Sequence, residues 1–262
     1  MNQEDAGSAR WTPERLGTIL GRPLPHLRGK FIARVLCRMI VAVASKHVIE
    51  VRGLDRIALD RDPFVLALNH NQRPEAVILP TLMIYHRHGK LIHFISDWNF
   101  QMIPGIGVIF RSGGVITLTH KPARPRFLNA FRKFYESGKP GLQRAIDLIR
   151  EGRSIGVFPE GTVNRDPERL LHGHYGAARI SLATGAPVIP AGIRFPHHPK
   201  GARITDRARF TVEIGPPITP PTPSDDRGGS RDEVRAWHDR VMSEVARLSG
   251  KTWEPHSRRA ES

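Results

Sequence analysis

The chain has 262 residues, 39% hydrophobic and 25% charged, a balance that excludes a disordered protein and allows one full catalytic core. A net charge of +15 points to an anionic partner; with 7% aromatic residues and no basic run interleaved with Phe or Tyr, no nucleic acid is expected and an anionic membrane surface is favoured. One cysteine, Cys37, excludes an internal disulfide and a thiolate zinc cluster, and the polar opening MNQEDAGSAR does not read as a signal peptide, so the cytoplasmic face of a membrane is the expected location.

Residues 31 to 44, FIARVLCRMIVAVA, form the first apolar stretch. It is too short to span a membrane, which takes about 20 apolar residues. Arg34 and Arg38 share one helical face, with Phe31, Ile32, Val35, Leu36 and Ile40 largely elsewhere, and Arg28 and Lys30 lie just upstream. That is the pattern of an N-terminal amphipathic interfacial helix, and equally of a helix packed on the core with both arginines in solvent.

HVIEVRG and PFVLALN then read as strands, and helical periodicity runs from Pro74 to about Tyr85. LIHFISD is a further strand, followed by a Gly-rich passage into GVITLT. In KPGLQRAIDLIREG, Leu142, Ala145, Ile146 and Ile149 share a helical face and Gly152 supplies a left-handed stop. The strand SIGVF, a helix from about Leu170 to Thr184, and the strands APVIPAGI and RFTVEIG complete an alternation that predicts an α/β fold with a mixed, mostly parallel sheet flanked by helices. Residues 1–46 are expected to carry the membrane-surface helix and 47–215 the catalytic domain. Residues 216–262 should form a Pro-rich linker, a helix from about Arg231 to Leu248, and a tail disordered from Trp253.

His70 follows the apolar run 63 to 69 and precedes a helix opening at Pro74, so it projects from the C-terminal edge of a strand, where open α/β folds place ligands. Glu75, beside Pro74, is placed to reach back to the imidazole, fix its tautomer and leave the other ring nitrogen to take a proton from an alcohol. A serine nucleophile is unnecessary if that alcohol attacks a thioester directly. VFPEGTVNRD puts Glu160 and Gly161 in the loop after another apolar strand, where Gly161 allows close backbone approach and Glu160 can accept from a substrate hydroxyl. An ordinary turn with a solvated acid is the simpler reading of that loop alone.

Ser154 in GRSIG matches a nucleophile elbow by spacing, but a helix ends before it and a strand begins, the reverse of an elbow. HGHYG and the pair His197 and His198 lack carboxylate or cysteine partners at ligand spacing, and SGKP lacks the rest of a phosphate-binding loop, so no metal and no cofactor is expected.

Four ordered blocks, NHNQRPEA, PGIGVIFRSGGVITLTH, VFPEGTVNRD and APVIPAGI, resemble the glycerolipid acyltransferases of the 1-acylglycerol-3-phosphate acyltransferase type over about residues 47 to 215. The resemblance implies an acyl-CoA or acyl carrier protein donor and a lysophospholipid acceptor, with His70 as base and Glu75 in the place usually held by Asp. It implies that Glu160, Gly161 and Thr162 position the acceptor. Two arginines expected to face its phosphate are replaced by His120 and Val163, which leaves Arg165, Lys121 and Arg111 as candidate headgroup cations. Val188, Ile189 and Pro190 match an apolar segment associated with the acyl substrate, although core packing accounts for their side chains.

Overall fold

A computed structural model of the chain describes residues 9–97, 114–118, 140–224 and 228–255. Its strands are β1 (Arg10–Trp11), β2 (Val48–Arg52), β3 (Val65–Leu68), β4 (Ile92–Asp97), β5 (Ile116–Leu118), β6 (Ser154–Val157), β7 (Val188–Arg194) and β8 (Phe210–Ile214). Its α-helices are α1 (Leu16–Gly21), α2 (Phe31–His47), α3 (Glu75–His86), α4 (Gly141–Arg150), α5 (Gly176–Thr184) and α6 (Arg231–Ser249).

The strands form one sheet in the order β1-β2-β8-β7-β3-β6-β4-β5. The pairs β1/β2 and β7/β8 are antiparallel and the others parallel, so the sheet is mixed and mostly parallel as the alternation predicts. A parallel sheet must be covered on both faces. Alternation along β3 sends Leu66 and Leu68 into a core with Val41 of α2 and Leu79 and Leu82 of α3. Val65 and Ala67 point the other way, to Ile149 of α4, Ile180 of α5 and Val241 and Met242 of α6. With β3 central and buried at all four positions, its C-terminal end is a fixed platform.

The helix expected from Leu170 begins only at Gly176. Residues 170–175 are loop because their backbone donors go elsewhere: Leu170 N to the Thr252 carbonyl (2.9 Å) and Leu171 N to the Glu160 carboxylate (2.9 Å). The disordered tail expected from Trp253 is also corrected as far as residue 255, since Thr252 N donates to the Glu168 carbonyl (2.7 Å) and the Trp253 indole to the Leu171 carbonyl (3.2 Å). Residues 256–262 lie outside the described residues. Helix α6 is nucleated by a capping box, Ser230 with Glu233, and ends at Gly250 in a left-handed cap. It lies so close to β7 that a Cβ on Gly192 would stand 2.1 Å from the Leu248 carbonyl carbon.

Helix α2 inverts the expected arrangement of an exposed helix. Ala33, Cys37, Val41 and Ala44 face the core, but the side chains turned to solvent are Phe31, Ile32, Met39 and Val43, exposed by 69%, 62%, 59% and 48%. Arg34 and Arg38 are only partly exposed, and Arg38 donates to the Arg22 carbonyl (3.2 Å) beyond α1. The reading that placed both arginines in solvent is therefore corrected. Leu16 and Leu20 of α1, exposed by 61% and 54%, extend the apolar surface among the N-terminal helices. No helix among the described residues is long and apolar enough to cross a membrane.

Candidate active site

His70 leaves the end of β3 and Glu160 leaves the end of β6, its parallel neighbour, so the topology delivers both to one edge of the sheet. The loops are laced together through backbone groups. His70 N donates to Glu160 Oε1 (3.1 Å), and the His70 carbonyl accepts from Asn164 N (2.7 Å). The Asn71 amide donates to the Asn164 carbonyl (2.7 Å). Asn69 bridges to β7, accepting from Ile193 N (2.7 Å) and donating to the Ile193 carbonyl (3.2 Å), while its amide also donates to Asn71 Oδ1 (2.6 Å). The loops after β3 and β6 are thus tied to each other and to β7.

On this platform the first turn of α3 brings back Glu75, fully buried, so that Oε2 lies 3.0 Å from His70 Nδ1. The same oxygen accepts from Asn71 N (2.6 Å), which fixes the carboxylate independently of the ring. With Glu75 ionised, its oxygen can only accept, so the proton sits on Nδ1 and Nε2 keeps its lone pair. The His70 side chain is 10% exposed. Its imidazole rests on the Phe158 ring, centroids 4.5 Å apart, and Phe158 in turn lies 5.6 Å from Phe94. Gly156 makes that aromatic support possible, because a Cβ there would meet the Phe94 ring at 2.5 Å.

Glu160 is also buried, and Oε2 accepts from the Asn164 amide (2.6 Å) and Leu171 N (2.9 Å). Burial raises its pKa above the ordinary carboxylate value, against the lowering effect of the Leu171, His70 and Asn164 donors and of the charge on Lys251. Gly161 adopts φ +64°, and a Cβ on it would lie 2.6 Å from the His174 ring, so the glycine leaves a bare backbone under that imidazole. Thr162 is exposed and Val163 half-buried on the same loop.

The structure thus brings His70, Glu75, Glu160, Gly161 and Thr162 to one edge, and diverts Arg165. Its guanidinium donates to the Ile204 carbonyl (2.8 Å) and to Asp206 (2.7 Å). Arg111, His120 and Lys121 lie outside the described residues. Sequence reasoning missed Asn69, Asn71, Asn164 and Lys251; the asparagines flanking His70 in NHN were the available signal, whereas nothing local marks Lys251 as buried. The exposed Arg73 stands beside this site, its backbone N donating to Asp206 (3.1 Å), and His174, weighed in HGHYG and set aside, is exposed over Gly161. Ser154 lies at the start of β6, opposite from Glu160, and its hydroxyl donates to Asp62 while accepting from Phe64 N (3.2 Å), a structural role. Among the described residues no cluster of three or more His, Cys, Asp or Glu is placed to hold a metal ion. A groove of about 740 Å³ over β2, β7 and β8 has neither His70 nor Glu160 in its lining, so it is not this site.

A buried imidazole held by a buried carboxylate, with a second acid under its backbone, can accept a proton from an alcohol. In comparison with known proteins, the acyltransferase family profile matches residues 48–194, more than half the chain. The chain belongs to the acyltransferase family. It is 29% identical over 160 residues to chloroplastic 1-acyl-sn-glycerol-3-phosphate acyltransferases of Brassica napus and Arabidopsis thaliana, covering 61% of this chain and 40% and 39% of theirs. It is 34% identical over 115 residues to the 1-acyl-sn-glycerol-3-phosphate acyltransferase of Borreliella burgdorferi, covering 44% of this chain and 40% of that one. The matched stretch is thus about two fifths of each curated relative. The fold of this acyltransferase is similar to that of the 1-acyl-sn-glycerophosphate (LPA) acyltransferase PlsC from Thermotoga maritima, with a TM-score of 0.55 at 21% identity, covering 91% of this chain and 90% of that one.

Proposed function

We propose that this acyltransferase moves a fatty acyl chain from an acyl-CoA or acyl carrier protein thioester to the free hydroxyl of 1-acylglycerol-3-phosphate at a membrane surface. The observation that carries the reading is the buried His70 and Glu75 pair, Nδ1 to Oε2 3.0 Å, at the mouth of the Glu160 loop. The curated relatives matched by the same stretch act on 1-acyl-sn-glycerol-3-phosphate by name.

In this mechanism Nε2 of His70 takes the acceptor hydroxyl proton as the oxygen attacks the thioester carbonyl. Glu75 stabilises the imidazolium that forms. The tetrahedral intermediate collapses with cleavage of the carbon–sulfur bond, and the departing thiolate takes the proton back from His70. The products are a diacyl lipid and a free thiol. Exposed Phe31, Ile32 and Met39 of α2, with Leu16 and Leu20 of α1, support a peripheral membrane contact in which apolar side chains enter the interface and the basic surface faces anionic lipid.

A second reading of the acceptor has a specific basis. Val163 stands uncharged where a phosphate-facing arginine is expected, and the candidate cation Arg165 on the same loop is paired with Asp206. A different lysolipid or an aminolipid fits such a loop. The test is transfer from radiolabelled acyl-CoA to lysophosphatidate in mixed micelles, beside acyl carrier protein donors and a panel of lysolipids. Transfer that disappears in His70→Ala at matched folding is the expected result. Wild-type silence with every donor and acceptor would overturn the enzymatic reading and leave a basic lipid- or nucleic-acid-binding module.

A further inference from the structure

Residues 250–255 follow α6, beyond the stretch shared with the family profile, and lie back against the Glu160 loop. Thr252 forms a parallel bridge with Arg169, its N–H donates to the Glu168 carbonyl (2.7 Å), and its carbonyl accepts from Leu170 N (2.9 Å). Leu171, whose N–H holds Glu160, also accepts from the Trp253 indole through its carbonyl. Gly250, in the left-handed region at φ +68°, turns the chain into this path. The strap carries Lys251, only 8% exposed, whose ammonium donates to the Asp166 carbonyl.

A buried lysine is costly unless opposite charge surrounds it. Burial lowers the Lys251 pKa, and the acids that pull it back up are Glu160, Glu75 and Asp166, in that order. Glu75 and Glu160 are buried carboxylates on two sides of His70, and one of the Glu75 oxygens, Oε1, has no hydrogen-bond partner among the described residues. We propose that Lys251 is a positioning residue of the acyl-transfer site: its buried ammonium is the shared counter-charge of Glu75 and Glu160, the two carboxylates that hold the His70 ring and backbone.

The inference rests on the acyl-transfer reading and deepens it. Without the ammonium, Glu160 would be harder to ionise, and a protonated Glu160 presents a donor where three N–H groups already point. The His70 N–H would then meet a neutral and weaker acceptor at Glu160. The acids whose charge reaches the ammonium are Glu160 and Asp166 from the β6 loop and Glu75 from α3, and its direct contact is the Asp166 carbonyl. Towards the groove it shares a wall with Glu168, Arg194 and Lys200, and with the Glu50, Arg52, Glu213 and His198 side chains further along.

Lys251→Met keeps the length of the side chain and removes its charge, whereas Lys251→Arg keeps the charge. Full-length wild type and both variants are compared by pH profile and steady-state kinetics with the donor and acceptor on which wild type works. The expected result is a fall in kcat of about 10- to 100-fold in Lys251→Met with little change in KM, an acid limb moved to higher pH, and recovery of both in Lys251→Arg. An acid limb that stays in place, or a loss that arginine does not recover, overturns the inference, because a merely structural strap predicts those outcomes. If Lys251→Met does not fold, the double variant Lys251→Met with Glu160→Gln decides. Restored folding supports the counter-charge; failure to restore it overturns the idea. A wild type inactive on every donor and acceptor is a failure of the acyl-transfer reading itself, distinct from an active wild type indifferent to Lys251.

Discussion

Glu75→Gln isolates the charge of the pair while keeping its shape. The carboxylate lies 3.0 Å from Nδ1 and is fully buried. For charge centres about 4 Å apart at an effective dielectric constant of about 20, the imidazolium gains about 4 kcal/mol, or about 1,000-fold in rate. A glutamine oxygen standing where Oε2 stands can still accept from both the Asn71 N–H and Nδ1–H, so the substitution removes the charge alone, unless the NH2 turns to the ring and puts the lone pair on the wrong nitrogen. The expected outcome is a kcat about 1,000-fold lower in Glu75→Gln, with KM little changed and the thermal transition close to wild type. Single-turnover acyl transfer from radiolabelled donor, run at saturating acceptor, measures it. A loss smaller than about tenfold beside an inactive His70→Ala would refute the reasoning, since the carboxylate would then be ornamental to the base.

Replacing Phe31, Ile32 and Met39 together by Ser should abolish sedimentation with anionic vesicles while leaving transfer to micellar acceptor, because each buried apolar side chain contributes about 1.5 kcal/mol or more to insertion; unchanged sedimentation would refute the interfacial role of α2. Glu233 has its pKa lowered to about 2, first by the Ser224 hydroxyl and then by the Ser230 N–H. A depressed carboxylate stabilises the fold above its ordinary value of 4.5 and loses that contribution as pH falls towards about 2. Chemical denaturation should therefore show Glu233→Gln less stable than wild type at neutral pH, with the gap closing near pH 2.

Alternating apolar runs made the order of strands and helices legible, because each element's face is written in its own period. Helix α4 is an instance: Ala145, Ile146 and Ile149 are buried as their spacing requires. Periodicity shows that α2 has distinct faces and leaves open which side meets the protein; small Ala33, Cys37 and Ala44 allow the closer packing, and the bulky Phe31 and Met39 are left outside. Leu170 and Leu171 looked helical because the hydrogen bonds that keep them extended come from Thr252 and Glu160, remote in sequence. His70 and Glu75 could be paired from one short stretch, since five residues and a helix entrance fix their relation. Lys251 could not, as its burial depends on where α6 ends against a strand far upstream.

The amide lacing of Asn69, Asn71 and Asn164 across the ends of three strands leaves the main chain at His70 almost no conformational freedom to surrender on binding. Little reorganisation entropy is then lost on the protein side, and a lipid acceptor of the kind proposed, a flexible chain with many rotamers, is the partner that must be ordered. Under the proposed function, selectivity among acceptors becomes a matter of how well each lipid can bring its hydroxyl to a base held in place.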